Sequence, residues 1–171
     1  MDNYRDIIEK EENRLEAVLT QMRHTLAAEA EDGRALNDEL SALKREKLAS
    51  HDWKEKNAIE VEVGKVRGRM ASRSFQDKGA VNKPYFGVLE MDDDDLGKRS
   101  YCLGKGTFHG VHGKILVIDW REAPVSRLYY EYDAGEEYDE DIRGRERSGV
   151  ILAKRQVEVS DGVLKTLSEG G

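Results

Sequence analysis

The run Lys114-Ile115-Leu116-Val117-Ile118-Asp119-Trp120-Arg121 constrains the fold more than any other stretch of the chain. A short aliphatic run bounded by polar residues suits a buried strand better than a helix. Asp-Trp-Arg then makes a compact corner. Ala123-Pro124 follows, and Val125-Ser126-Arg127-Leu128-Tyr129-Tyr130-Glu131 resumes with the aromatic content of a second strand. This order of residues implies a particular β-module. For the corner itself, the residues favour a structural role, with Trp120 buried and Asp119 paired to Arg121. The competing role is a contact surface for another domain.

Everything before residue 77 is patterned as helix. From Asp2 to about Ser50 there is no proline and one glycine. Ile8, Leu15, Met22, Leu36 and Leu43 share one seven-residue phase, which Glu29 also occupies. Leu19, Leu26 and Leu40 form a second row, with Gly33 in phase. Such a double row makes a coiled-coil seam. Glu31-Asp32-Gly33 could be a hairpin turn or a weak point in a continuous helix. A turn would reset the phase, yet the rows run through it, so one helix to about Ala49 is favoured. Its length would be on the order of 70 Å.

The pattern stops at Ser50-His51-Asp52-Trp53-Lys54-Glu55-Lys56-Asn57, whose residues suit turns and caps. Ile59, Val63, Val66 and Met70 restart it, predicting a returning helix from about Ala58 to Gln76, with a short strand at Val61–Val63 as the competitor. The expected object is an antiparallel two-helix arm over residues 1–78. Asp52, Trp53 and Glu55 at its tip form a candidate partner-binding cluster. The plainer alternative is a solvated turn, with Asp52 as a cap and Trp53 folded onto the seam. An apolar stripe on the N-terminal half of the long helix could also pair with a second copy of the chain.

Residues 84–167 read as a small, mostly antiparallel β-sheet or open barrel, giving an α+β chain. The strand signals are Tyr85–Met91, Arg99–Leu103, Lys114–Trp120, Arg127–Tyr132, Gly149–Val159 and Val163–Leu167. Asp161-Gly162 is a strong hairpin turn. Glu136–Arg147, acidic then basic, is expected to be a loop.

Several chemistries find no footing in the sequence. Gly104-Lys105-Gly106-Thr107 lacks the spacing of a phosphate-binding loop, and no Walker A run occurs. Asp92–Asp95 and Asp139–Asp141 resemble calcium loops, but Leu103 and Val150 stand where the twelfth-position Glu belongs. His109 and His112 have no evident third ligand, so no metal site and no cofactor are expected in this chain. No nucleophile–base constellation stands out. The net charge of −7 opposes wholesale nucleic-acid binding. A local basic stretch, Arg143, Arg145, Arg147, Lys154 and Arg155, is the candidate nucleic-acid contact. The lone cysteine, Cys102, fits a reducing compartment and a buried position in a strand. With no apolar leader and no membrane-length run, the chain reads as cytoplasmic.

Five segments occur in an informative order: Pro84-Tyr85-Phe86-Gly87-Val88, Gly113 to Arg121, Ala123-Pro124-Val125-Ser126, Leu128-Tyr129-Tyr130-Glu131 and Leu152-Ala153-Lys154-Arg155-Gln156. In this series the chain resembles the N-terminal region of HelD-type proteins, superfamily 1 helicase-like ATPases related to helicase IV and the UvrD/Rep group. The likeness is close over about 84–165. Over the arm it is one of architecture and of the Asp52-Trp53 neighbourhood. Two departures are visible: Glu122 separates Asp-Trp-Arg from Ala-Pro, and the family's acidic pair after Trp is not reproduced, since Lys54 follows Trp53. The resemblance implies a piece of a longer protein whose RecA-like motor domains use ATP and Mg. It also implies that the arm enters the secondary channel of bacterial RNA polymerase, and that the parent helps strip nucleic acid from stalled polymerase. This chain would then dock rather than catalyse. The runner-up is the accessory region of a DNA helicase whose β-domain touches DNA; a coiled-coil adaptor is the third reading.

Overall fold

Asn3 starts the first helix: its side-chain oxygen accepts the Asp6 N–H at 2.9 Å, satisfying a donor that the first helical turn leaves open. In the computed structural model, which describes residues 3–72, 76–121 and 125–169, helix α1 then runs Tyr4–Ala49 without interruption. It passes through Glu31-Asp32-Gly33, as the unbroken heptad phase predicts. Helix α2 spans Trp53–Ser72. Residues 73–75 of the expected returning helix, residues 122–124 of the corner motif and the side chain of His112 lie outside the described residues. No helix among the described residues is long and apolar enough to cross a membrane.

The chain packs as two units. The first joins residues up to Arg23 with Asp77 onward; the second is His24–Gln76. The early turns of α1, which the sequence reading assigns to the arm, therefore group with the strands.

The second unit is an antiparallel helix pair. Its register is recorded by three contacts: Lys47 pairs with Glu60, Arg69 with Glu39 at 2.9 Å, and the Gln76 N–H donates to Glu29 at 3.0 Å. Ile59, Val63 and Val66 are buried in its seam. Leu36, Leu40 and Leu43 are half-buried. Glu29, the polar residue in the apolar phase, is thus used to satisfy a backbone N–H.

The first unit holds seven strands: β1 Gly87–Asp93, β2 Gly97–Gly104, β3 Phe108–His109, β4 Ile115–Asp119, β5 Glu137–Ile142, β6 Arg145–Ser160 and β7 Val163–Glu169. Their order is β3-β4-β2-β1-β6-β5, with β7 also on β6. Among the described residues, only β2 and β4 pair in parallel. The sheet is open and mostly antiparallel, so α+β holds.

Alternation gives this sheet two buried faces. Glu90 and Arg155 point to one, where Arg14 of α1 meets Glu90 at 2.6 Å and Tyr4 donates to the Leu167 carbonyl at 3.2 Å. The α1 stripe Ile7, Leu15, Val18, Leu19 and Met22 is buried within this unit. That corrects the expectation of a stripe left open here for a second copy. Leu89, Met91, Leu103 and Ile151 point to the other face and pack with Leu128, Tyr129 and Tyr138.

Three expectations need correction. Ser126–Glu131 is a short helix, α3, not a strand. Val125, Leu128, Tyr129 and Tyr132 recur at helical spacing, and all pack on the sheet; that period outweighs the β-propensity of tyrosine. Glu136–Arg147 is not a loop but the β5–β6 hairpin, closed by Arg143-Gly144 at φ 54 and 78°. Within it Tyr138 is buried and Ile142 half-buried, while Glu137, Asp139 and Asp141 are exposed. Gly149 pairs with Tyr138, and a Cβ there would run into the Asp92 carbonyl oxygen and the Tyr138 hydroxyl. Third, Trp120 is 40% exposed rather than buried. Asp161-Gly162 forms the expected turn, both residues at positive φ.

Candidate functional site

The arm's turn is built by two caps. Ser50 is buried, and its hydroxyl accepts the Asp52 N–H at 3.3 Å. Asp52 Oδ1 accepts the Lys54 N–H at 3.0 Å, and the Asp52 carbonyl accepts the Lys56 N–H at 2.9 Å. Asp52 is therefore the N-cap of α2, and Glu55 adds negative charge in the first turn, where the helix dipole favours it. Trp53, the first residue of α2, does not fold onto the seam. It is 68% exposed, and Leu48 at the end of α1 is 83% exposed. The Lys54 ammonium lies 6.0 Å from the Trp53 ring centroid, the outer limit of a cation–π contact. The turn thus offers two large apolar side chains beside two carboxylates.

The corner after β4 is held by polar atoms rather than by its indole. Asp119 is buried; its carboxylate accepts the Arg121 N–H at 2.8 Å and the Arg121 Nε–H at 3.3 Å. These bonds hold the Asp119 carboxyl below its ordinary pKa. The Asp119 N–H donates to Thr107 Oγ1 at 3.1 Å, and Arg121 Nη2 donates to the Lys105 carbonyl at 3.0 Å. Ser126 Oγ donates to the Trp120 carbonyl at 2.8 Å, linking corner to α3. The Trp120 ring stacks edge-on against Tyr130, with centroids 6.0 Å apart. Tyr130 is itself half exposed, so the pair forms an aromatic surface patch.

The five basic candidates do not form one patch. Arg143 and Arg145 are exposed on the β5–β6 turn. Arg147 leans on Asp95 at 3.6 Å and Asp93 at 3.9 Å. Lys154 is buried; its ammonium sits 5.4 Å above the Tyr129 ring and donates to the Tyr132 carbonyl at 3.3 Å. Arg155 is buried among Glu169 at 3.2 Å, Glu90 at 3.3 Å and Glu11 at 3.6 Å. Lys154 and Arg155 alternate along β6, so one supports each face of the sheet.

Sequence reasoning missed the network that Arg155 completes. Glu11 is 1% exposed and meets Arg14 at 2.9 Å; Lys10 meets Glu90 at 2.9 Å. A visible signal existed: Glu11 lies four residues from both Ile7 and Leu15, on the apolar face. Part of the Asp92–Asp95 run also has a structural use. Asp93 accepts the N–H groups of Asp95 and Leu96 at 2.9 and 3.0 Å and the Tyr138 hydroxyl at 2.8 Å. Cys102 is buried, which pushes its thiol up to about 12. Among the described residues, no three His, Cys, Asp or Glu side chains are grouped to hold a metal ion.

The family model described as DNA helicase IV HelD, N-terminal domain, matches residues 5–170. The chain belongs to this family. Comparison with curated proteins returned no match. The HelD N-terminal match takes in the arm as well as the sheet, so the helical half, where the sequence likeness is looser, belongs to the same family unit. Among the described residues of this HelD N-terminal domain, the arm's turn, the Trp120–Tyr130 patch and the Arg143–Arg145 turn are exposed.

Proposed function

We propose that this chain is the non-catalytic docking region of a HelD-type helicase-like protein, and that its arm binds bacterial RNA polymerase. The observation that supports this most is Trp53, a large aromatic residue held in solvent by a well-capped helix start. An exposed Trp suits a binding anchor, since aromatic anchors carry much of the energy of an interface. Asp52 and Glu55 would meet cationic groups of the polymerase or its catalytic metal. ATP and Mg would be used by motor domains of the parent, to which the Trp120–Tyr130 patch offers a contact. The protein would act in the cytoplasm, in transcription.

DNA contact by the β-body is the second reading, and Arg143 and Arg145 favour it. Two of the five basic residues behind that reading, Lys154 and Arg155, are buried in ion pairs, which weakens it. The two readings separate in one experiment: binding of the chain to core RNA polymerase, beside a DNA titration across salt. Polymerase binding without DNA binding is the expected result. DNA binding that falls steeply with salt, without polymerase binding, would replace docking by the helicase-accessory role.

A further inference from the structure

The β-body carries a groove of about 720 Å³ whose aliphatic floor neither reading uses. Its origin is topological. β2 and β4 pair only at Leu103–Ile118 and Gly104–Asp119; upstream of these couples β4 turns to the two-residue β3 instead. The strands part, and the space between them is overhung by the β5–β6 turn. Met91, Leu96, Tyr101, Ile115, Ile118 and Ile142 line it. Leu96 and Ile115 remain 42% and 43% exposed, large apolar surface that the chain itself does not cover.

The rim is basic. Arg143, Arg145 and Arg147 line the same groove. Arg147 is engaged with Asp93 and Asp95, whereas the side chains of Arg143 and Arg145 make no ion pair or hydrogen bond among the described residues. Arg143 sits at φ 54 in the tight turn that carries it over the groove. An aliphatic floor beneath two uncompensated guanidinium groups matches a ligand with apolar side chains on one edge and carboxylates on the other.

We propose that this groove binds an acidic amphipathic peptide segment, its aliphatic side chains on Ile115 and Leu96 and its carboxylates on Arg143 and Arg145. A nucleic-acid strand fits less well. The lining is mostly aliphatic, with Tyr101 and His109 as its two rings, where a single strand calls for a row of stacking platforms. Asp93 in the lining and Asp95 next to it, both against Arg147, would also repel a run of phosphates, while a peptide can place single carboxylates away from them.

The test is a selection of displayed random peptides, about twelve residues long, on the whole chain. The selected peptides are then measured by fluorescence anisotropy, with a labelled oligothymidylate as the nucleic-acid probe. The expected winners combine Leu, Ile or Val with Asp or Glu. Arg143→Glu/Arg145→Glu should weaken them at least about tenfold, as loss of paired rim and anchor charges does. Ile115→Ser, which leaves both arginines in place, should weaken them too, with the thermal melt of each variant unchanged. Failure to enrich such peptides, or winners indifferent to both variants, would overturn the proposal. Oligothymidylate binding that competes with the peptides and is lost in the double variant would make the groove a nucleic-acid surface instead. Arm-mediated polymerase binding is untouched by either variant, so failure here and failure of the docking role remain distinguishable.

Discussion

The two units of this HelD N-terminal domain spend charge in opposite ways. In the strand unit, Glu11, Glu90 and Arg155 are taken out of water and tied to Arg14, Lys10 and Glu169. In the helix pair, Lys47–Glu60 and Arg69–Glu39 stay at the surface, and three apolar residues of α2, Ile59, Val63 and Val66, are fully buried in the seam. A buried network specifies one arrangement and is costly to break, because the partner left behind stays desolvated. Surface pairs contribute little each and tolerate change. The strand unit is therefore the fixed body. The helix pair holds its register with little, leaving its turn residues available for binding.

That contrast can be broken first at Glu11. Glu11→Ala should destabilise the strand unit by about 1.5–3 kcal/mol, since Arg14 and Arg155 each lose one buried carboxylate while keeping Glu90; urea unfolding followed by tyrosine fluorescence checks it. Loss under about 1 kcal/mol would mean that the network adds nothing beyond surface pairing. Next comes acid. Burial opposes ionisation of Glu90 and Asp93, but Lys10, Arg155 and Arg14 for the first, and the Leu96 and Asp95 amides, Tyr138 and Arg147 for the second, outweigh it and lower both pKa values. The unfolded chain, with carboxyl pKa values near about 4, then binds protons first. The stabilisation is complete above that range and is lost as pH falls through the lower folded values. Melting temperature followed from pH 7 into the acid range should drop in that window even in high salt. In the helix pair, Glu60 is lowered by its bond to Lys47 at the surface, so salt should erase its share.

Smaller effects follow. Trp120→Ala should cost only about 1–2 kcal/mol, because the ring is partly solvated and the corner is held by Asp119, Arg121 and Ser126. A loss of the size seen for a fully buried Trp would show that the Trp120–Tyr130 pair carries core weight. Arg69→Ala should change helix-pair stability by less than about 1 kcal/mol, measured by circular dichroism.

Much of this division is written in the sequence. The seven-residue rows through Gly33 specify one helix, and Asp161-Gly162 specifies a turn. The misreadings have physical causes. Val125 to Tyr132 carries β-prone residues at helical spacing, and the spacing won. The β5 strand hides its alternation because only Tyr138 and Ile142 are apolar. The Arg143-Gly144 turn lacks the usual Asn or Asp before glycine. Trp120 follows an apolar strand, yet the chain turns at that residue and leaves the ring outside. The site candidates divide likewise. Asp52, Trp53 and Glu55 end on one helix start because cap chemistry is local. The five basic residues divide, Arg143, Arg145 and Arg147 to one groove and Lys154 and Arg155 into the body, because strand alternation and a tertiary network decide where each one points.

The proposed docking role rests on Trp53 and its flanking carboxylates. Its most direct test is the dissociation constant of core RNA polymerase for the chain carrying Asp52→Asn/Trp53→Ala/Glu55→Gln, against the unaltered chain at fixed salt. Asn keeps the N-cap acceptor, so α2 should stay folded, which circular dichroism verifies. Removing a docked Trp costs more than about 1 kcal/mol and often 2 or more, so affinity should fall by about tenfold or further. Equal affinity for the two chains, with helicity intact, would contradict docking through the arm.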